Sequence, residues 1–269
     1  MDIVKFKVEN ISRDQFTLVS QRYKRITRAI NAEFWDIDSD SEHSLYVGSY
    51  GRGTAVDTSD IDILVELPRD VYYKHDMLRG NGQSRLLQSV KSAIEATYPR
   101  SHIHADGQVV VVDFSDGIKF EVLPAFKQIN WLGIWDGKYD YPDTNMGGNW
   151  RSTNPKAEQE AMRKRNIESN GLLFDTCKHI RRIRDEYFSN YHLSGIVIDS
   201  YVYHHIANWH WLREGEARSD SPVGTYEKKL YDECPIWNFA LCAPGSEDPV
   251  DTSRSLDCLH KVLKYISKE

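Results

Sequence analysis

The stretch Gly48-Ser49-Tyr50-Gly51-Arg52-Gly53-Thr54-Ala55-Val56-Asp57-Thr58-Ser59-Asp60-Ile61-Asp62-Ile63 constrains this chain more than any other part of it. Apolar Leu45-Tyr46-Val47 ahead of it and the apolar run over residues 61–67 behind it read as two strands, joined through a Gly-Ser turn and a short helix. Side chains two apart on a strand share a face, so Asp60 and Asp62 converge. Two carboxylates side by side repel, and a divalent cation relieves the repulsion. Small residues at Gly48 and Ser49 let backbone N–H groups approach a phosphate closely, and a following helix N-terminus adds a favourable dipole. A phosphate cradle beside a two-carboxylate metal site is the equipment of nucleotidyl transfer.

The surrounding pattern predicts an α+β chain. Residues 13–31 read as a helix, with Phe16, Val19, Tyr23, Ile26 and Ile30 recurring every three or four positions. Residues 84–97 read as a second helix that carries Leu86, Leu87, Val90 and Ile94 on one side. Strand-like runs at 108–114 and 118–123 flank Ser115-Asp116-Gly117, a hairpin signal. Residues 128–154, rich in Gly, Trp, Asp and Asn, read as a long irregular connection. Helical patterns then dominate, over 155–169, 172–188, 194–212, part of 224–241, and 253–267. The expected organisation is a catalytic lobe with a mixed sheet over residues 1–150 and a helical lobe over 151–269, with substrate in the cleft between them.

A third carboxylate is expected near the first two, and two acids on neighbouring strands compete for the place. Asp113 sits at a hairpin end, where a solvated turn acid is the plain reading. Glu121 lies within Phe120-Glu121-Val122-Leu123-Pro124-Ala125-Phe126, and a charge in apolar surroundings calls for a partner such as a metal. Glu121 is preferred and Asp113 is held in reserve.

Composition narrows the partners. No apolar run approaches the roughly eighteen residues of a membrane span, and the N-terminal Met1-Asp2-Ile3-Val4-Lys5-Phe6-Lys7 lacks a signal-peptide pattern, so a soluble cytoplasmic protein is expected. Cys177, Cys234, Cys242 and Cys258 show no C-x-x-C spacing and read as reduced, mostly buried thiols. His204, His205 and His210 read as packed or solvated side chains. A net charge of −6 argues against a platform for long duplex DNA. The cations of Arg163-Lys164-Arg165, with Lys178, Arg181, Arg182 and Arg184, suit a triphosphate or simply face water.

With these residues in hand, the chain resembles the DNA polymerase β-type nucleotidyltransferase superfamily. The string GSYGRGTAVDTSDIDILVEL followed by FEVLPAF resembles its bacterial cyclic-oligonucleotide synthase branch, the CD-NTases, which are related to oligoadenylate synthase and cyclic GMP–AMP synthase. That branch usually carries Asp where Glu121 stands. Further along, Trp150-Arg151-Ser152-Thr153-Asn154-Pro155 resembles the family's Trp…Thr-Asp-Pro segment. Ile180-Arg181-Arg182-Ile183-Arg184 falls where the family has a basic helix, usually with Lys at position 184, and Asp199-Ser200-Tyr201 resembles a Ser-Tyr pair of the second lobe.

The resemblance implies a polymerase β-like lobe followed by an oligoadenylate-synthase-like helical lobe. It implies that Asp60, Asp62 and Glu121 are the catalytic residues and hold two Mg²⁺ ions, which Mn²⁺ could replace. Gly48 and Ser49 would then bind the β- and γ-phosphates, Arg184 and Ser200 would reach the triphosphate, and Tyr201 would stack on the donor base. The substrates would be ribonucleoside triphosphates and the product a cyclic di- or trinucleotide second messenger for antiphage defence, read by a separate effector protein. The other readings are transfer of one nucleotide or a short tail to RNA, protein or a small molecule, and an inactive nucleotide-binding relative. Asn166 and Asn170 are candidates for reading a base edge, against surface or cap roles.

Overall fold

The computed structural model describes residues 12–217, 220–237 and 239–268; the N-terminal segment read above as lacking a signal-peptide pattern, residues 1–7, lies outside the described residues. The chain divides into two compact units. One comprises Ser12–Gly51 and Ser59–Pro155, and the other contains Arg52–Thr58 and Lys156–Glu269.

In the first unit, the Ser12 side chain accepts from the Gln15 N–H and caps α1 (Arg13–Phe34). The stripe expected for this helix holds in part: Val19, Ile26 and Ile30 are buried, whereas Phe16, in the first turn, is exposed. Then follow β1 (Ser44–Tyr46), α2 (Gly48–Arg52), β2 (Ile61–Glu66), α3 (Arg69–Asp76), α4 (Gly82–Thr97), β3 (His102–Asp106), β4 (Val109–Asp113), β5 (Lys119–Ile129), β6 (Trp135–Asp143) and β7 (Asn149–Thr153). The sheet runs β1-β2-β5-β4-β3, with β6 pairing the far end of β5 and β7 pairing β6. Only β2 and β5 pair in parallel within this set. Ile61, Ile63 and Val65 of β2, Val110 and Val112 of β4, and Phe120 and Val122 of β5 point into a core shared with Val19, Ile26 and Ile30 of α1 and Leu86, Val90 and Ile94 of α4. The other face of β2 and β5 carries Asp62 and Glu121 near one end and a small apolar cluster of Leu64, Ala125, Val47 and Tyr139 further along.

The irregular connection expected over 128–154 is instead sheet. β5 continues to Ile129 and turns at Gly133 (φ +77°) into β6, and β7 closes the ladder. Gly, Pro, Asp and Asn dilute the alternation there, but Tyr139 and Asp143 still face inward, so the strands form on few apolar contacts. β3 escaped the sequence reading for a similar reason, because Ile103 is its only buried side chain.

The helical unit holds α5 (Pro155–Glu168), α6 (Leu172–Tyr187), α7 (Gly195–His205), α8 (Thr225–Asp232) and α9 (Leu256–Ile266), with a ribbon of β8 (Leu241–Cys242) and β9 (Pro249–Val250). α7 is shorter than its apolar pattern suggested, because Ala207, at φ +48°, ends it, while α8 lies within the segment expected to hold a helix. Met162, Leu173, Ile180, Val197, Ile198, Leu259 and Val262 form its core. All four cysteines are free, with Cys177, Cys234 and Cys258 buried. His205 and His210 are paired with Glu233 and Glu216.

A buried ionic network organises this unit. Asp199 is fully buried and accepts from Arg181 Nη1 at 2.7 Å, Arg181 Nη2 at 2.9 Å, Arg52 Nε at 2.8 Å and Thr54 Oγ1 at 3.0 Å. Arg52 Nη1 also donates to Glu158 at 3.0 Å. Burial pushes the Asp199 carboxyl up, but the two guanidiniums outweigh it and hold the group below the usual carboxylate range. Such a pair adds little over a well-packed apolar replacement, yet leaving one partner alone costs about 3–5 kcal/mol. Arg52 and Thr54 are therefore structural anchors.

His179 on α6 shows the opposite balance, because burial and the neighbouring Arg182 lower its pKa from 6.5 to about 4. Unfolding restores the ordinary value, so between pH 6.5 and 4 the unfolded chain binds a proton that the fold refuses. Stability that is complete above this window therefore declines as pH falls through it. In thermal scans, His179→Gln is expected to lose less Tm than the wild type between pH 7 and 4.5, and identical slopes would refute this account.

Candidate active site

The parallel pairing of β2 with β5 sets Asp62 directly opposite Glu121 and places Ile61 opposite Phe120. Asp60 precedes β2 by one residue and shares the face of Asp62. Lys119, two residues ahead of Glu121, falls on that same face. Its ammonium lies 2.8 Å from Asp60 Oδ2 and 2.8 Å from Glu121 Oε1. Partial burial lowers the pKa of Lys119, but the hydrogen bonds that it donates to the two carboxylates outweigh this and raise it above the ordinary lysine value. The ammonium thus stands where the carboxylates gather, as a counter-cation. Sequence reasoning missed Lys119, although its signal was present in the same strand parity as Glu121.

The turn ahead of the acids is shaped by Asp62. The Val47 N–H donates to the Asp62 backbone carbonyl at 2.9 Å, and Gly48 adopts φ +56°. A Cβ at Gly48 would lie 1.9 Å from Asp62 Oδ2, so the carboxylate packs on the bare glycine backbone. Ser49 follows at the start of α2 and is almost wholly buried. Gly48, Ser49, Asp60, Asp62 and Glu121 therefore come together within one unit. Three carboxylates on one face, two of them sharing the Lys119 ammonium, form an all-oxygen donor set that fits a hard divalent cation such as Mg²⁺.

Asp113, the reserve candidate, stands one strand further along. It lies opposite Lys119 in the β4–β5 ladder and opposite His102 in the β3–β4 ladder. His102 Nδ1 donates to Asp113 Oδ2 at 3.0 Å, whereas Lys119 turns to Asp60 and Glu121. Glu121, not Asp113, keeps company with the first two acids.

Two of the second-lobe residues, Ser200 and Tyr201, are buried within the helical unit. Tyr201 is fully buried in the helical core, its hydroxyl donating to the Leu230 carbonyl at 2.6 Å and its ring stacked on His205 at 4.2 Å. It offers no face to a base. Ser200 is equally buried, between Asp199 and Tyr201 on α7, and presents no surface to a triphosphate. α7 is apolar on nearly every side, so a Ser-Tyr pair read along it carries no sign of which way it points. Arg184 donates from Nε to Asp185 at 2.6 Å and from Nη1 to the Leu193 carbonyl at 3.0 Å. Asn166 accepts from the Phe174 N–H and Asn170 donates to the Trp211 carbonyl, so both serve local capping and loop contacts rather than a base edge.

Over residues 7–166 the sequence matches the Second Messenger Oligonucleotide or Dinucleotide Synthetase (SMODS) domain. The chain belongs to this family. It is an enzyme, a nucleotidyltransferase of the CD-NTase kind. No curated protein matches it in sequence. Among solved structures it is similar to the Elizabethkingia meningoseptica CdnE cyclic dinucleotide synthase with GTP and Apcpp, at 16% identity and a TM-score of 0.61, over 95% of this chain and 97% of that one. The STING-associated CdnE c-di-GMP synthase of Capnocytophaga granulosa aligns at 12% identity and a TM-score of 0.68, over 97% and 82% of the two chains. CdnC of E. coli MS115-1 with ATP aligns at 12% identity and a TM-score of 0.61, over 96% and 86%. At such identities the likeness shows the fold, an α+β architecture with a polymerase β-like mixed sheet.

Two substitutions probe this SMODS site. Gly48→Ala is expected to strain the backbone by about 1 kcal/mol and to push Asp62 aside, weakening Mn²⁺ binding about tenfold or more by calorimetry. Lys119→Met should lower the metal-free stability by no more than about 1 kcal/mol, because the pair is partly exposed. Its Tm should rise further on adding Mn²⁺ than that of the wild type, and an equal or smaller rise would remove Lys119 as the resident counter-cation.

Proposed function

We propose that this SMODS protein is a Mg²⁺-dependent synthase that condenses ribonucleoside triphosphates into a cyclic di- or trinucleotide second messenger. The observation that carries the reading is the register that sets Asp62 against Glu121, with Asp60 beside them and a single ammonium between Asp60 and Glu121. Asp60, Asp62 and Glu121 would hold the metal, with Mn²⁺ able to take its place. Bound there, two Mg²⁺ ions would neutralise charge on the triphosphate and favour deprotonation of an acceptor ribose hydroxyl.

The chain's own groups have separate parts. Asp62 is fixed against the Gly48 backbone, which limits its rotamers before any ligand arrives. Gly48 and Ser49 offer backbone N–H groups and a hydroxyl to the β- and γ-phosphates. Glu121, reaching from the neighbouring strand, would orient the acceptor side. Its longer side chain, where the family usually has Asp, would sit one methylene deeper into the shared space. That GTP with Apcpp, and ATP, accompany similar solved proteins supports nucleoside triphosphates as substrates. The family resemblance supports a role in cytoplasmic antiphage signalling with a separate effector that reads the product. It also supports a second lobe over 151–269 that completes the binding of nucleotides.

Incubation of the full chain with Mg²⁺ or Mn²⁺ and all four ribonucleoside triphosphates, followed by phosphatase and mass spectrometry, tests the proposal. A phosphatase-resistant cyclic species is expected, absent from Asp60→Ala/Asp62→Ala and reduced at least about a hundredfold by Glu121→Gln. Linear tails, or transfer to an added RNA with no cyclic product, would replace this reading with that of a tailing enzyme.

A further inference from the structure

We propose that His102, His104 and Asp113 form a second cation site, built for one transition-metal ion of the Zn²⁺ class and distinct from the carboxylate centre. The β3–β4 ladder creates it. His102 lies opposite Asp113, and His104, two residues on, shares the face of His102. The ligating atoms of the three side chains all lie within 4.8 Å of one another. His102 Nδ1 is 3.0 Å and His104 Nδ1 is 3.8 Å from the same oxygen, Asp113 Oδ2. Ligand atoms around a tetrahedral Zn²⁺ stand about 3.4 Å apart, a value that these two distances bracket.

A second observation points the same way. His104 Nδ1 is shielded from solvent and has no hydrogen-bond partner. A buried ring nitrogen left unpaired is costly, and such a group needs an explanation. A metal ion shared with His102 and Asp113 supplies it. The donors also separate this site from the neighbouring one. Two imidazole nitrogens and one carboxylate oxygen suit Zn²⁺ and its d-block neighbours, whereas Mg²⁺ prefers oxygen alone.

Access and charge are favourable. The side chain of His102 is 75% exposed, so an ion reaches the ligands directly from solvent and keeps an open coordination position there. Lys119, the cross-strand neighbour of Asp113, gives its ammonium to Asp60 and Glu121 and so leaves the Asp113 carboxylate to the histidines. The sheet face would then carry two cation sites of different chemistry on adjoining strands. Binding requires both imidazoles to be neutral.

Calorimetry with Zn²⁺ alone, on full-length protein first stripped with a chelator and held at pH 7.5, tests this without reference to turnover. One Zn²⁺ per chain is expected, weakened at least about tenfold by His102→Ala, His104→Ala or Asp113→Asn and unchanged in Asp60→Asn/Asp62→Asn. Co²⁺ in place of Zn²⁺ gives a readout that no variant is needed to interpret. Intense visible bands of a tetrahedral nitrogen-and-oxygen site would support the proposal, while the weak spectrum of hydrated Co²⁺ would overturn it. Binding that survives His104→Ala but disappears in Asp60→Asn/Asp62→Asn would overturn it too, assigning the ion to the carboxylate centre.

Discussion

The parallel pairing of β2 with β5 is the constraint on which the site depends. Parallel strands set equivalent residues side by side, and here the register brings Asp62 against Glu121. Because strand side chains alternate with a period of two, a slip of one residue would turn the acids into the core and Ile61, Ile63 and Val122 out to water. Those three are fully or almost fully buried, so the apolar face holds the register that the charged face requires. Apolar residues whose burial drives folding thus also position the acids. The arrangement needs no contact from the acids themselves, which would otherwise oppose it.

Three acids on one face would repel strongly in a chain that already carries a net charge of −6. Lys119 answers part of that repulsion from within the fold. An ammonium in this position favours the metal-free protein and must give way when a divalent ion binds, so it trades affinity for the stability of the empty site. The Asp199 network shows a different solution to the same electrostatic problem. There the carboxylate is fully buried, paired with two guanidiniums and a hydroxyl, and unavailable to any ligand. Exposure separates the two cases: the side chain of Asp60 is 50% exposed and open to an incoming ion, whereas Asp199 is fully buried.

What was legible in the sequence followed from period and from small residues. The alternation at Asp60-Ile61-Asp62 placed both acids on one face, and Gly48 marked the close approach that the Asp62 carboxylate makes. Glu121 stood out as a charge inside an apolar strand. The failures share a cause, since each depended on which way a side chain points in an element without a clear polar side. Tyr201 lies on a helix that is apolar almost all round, and only packing against Leu230 and His205 reveals it as core. β6 and β7 were hidden because their ladder rests on hydrogen bonds among polar residues such as Asp140, Gln128 and Ser152 more than on apolar alternation.

Two residues that the sequence did not assign have partners far away in the chain. Arg52 finds Asp199 and Lys119 finds Asp60, and in each case a charge is matched by an element that local pattern cannot anticipate. Arg52 and Asp60 bracket the loop that follows the Gly-Ser turn, and each end of that loop is held by an ion pair within its own unit. Truncating Arg52 would leave Asp199 with Arg181 alone and release the start of the loop, whereas truncating Lys119 would free its end. The acids therefore depend on a cation outside their own set, and a variant of Lys119 should disturb the site while all three carboxylates remain in place.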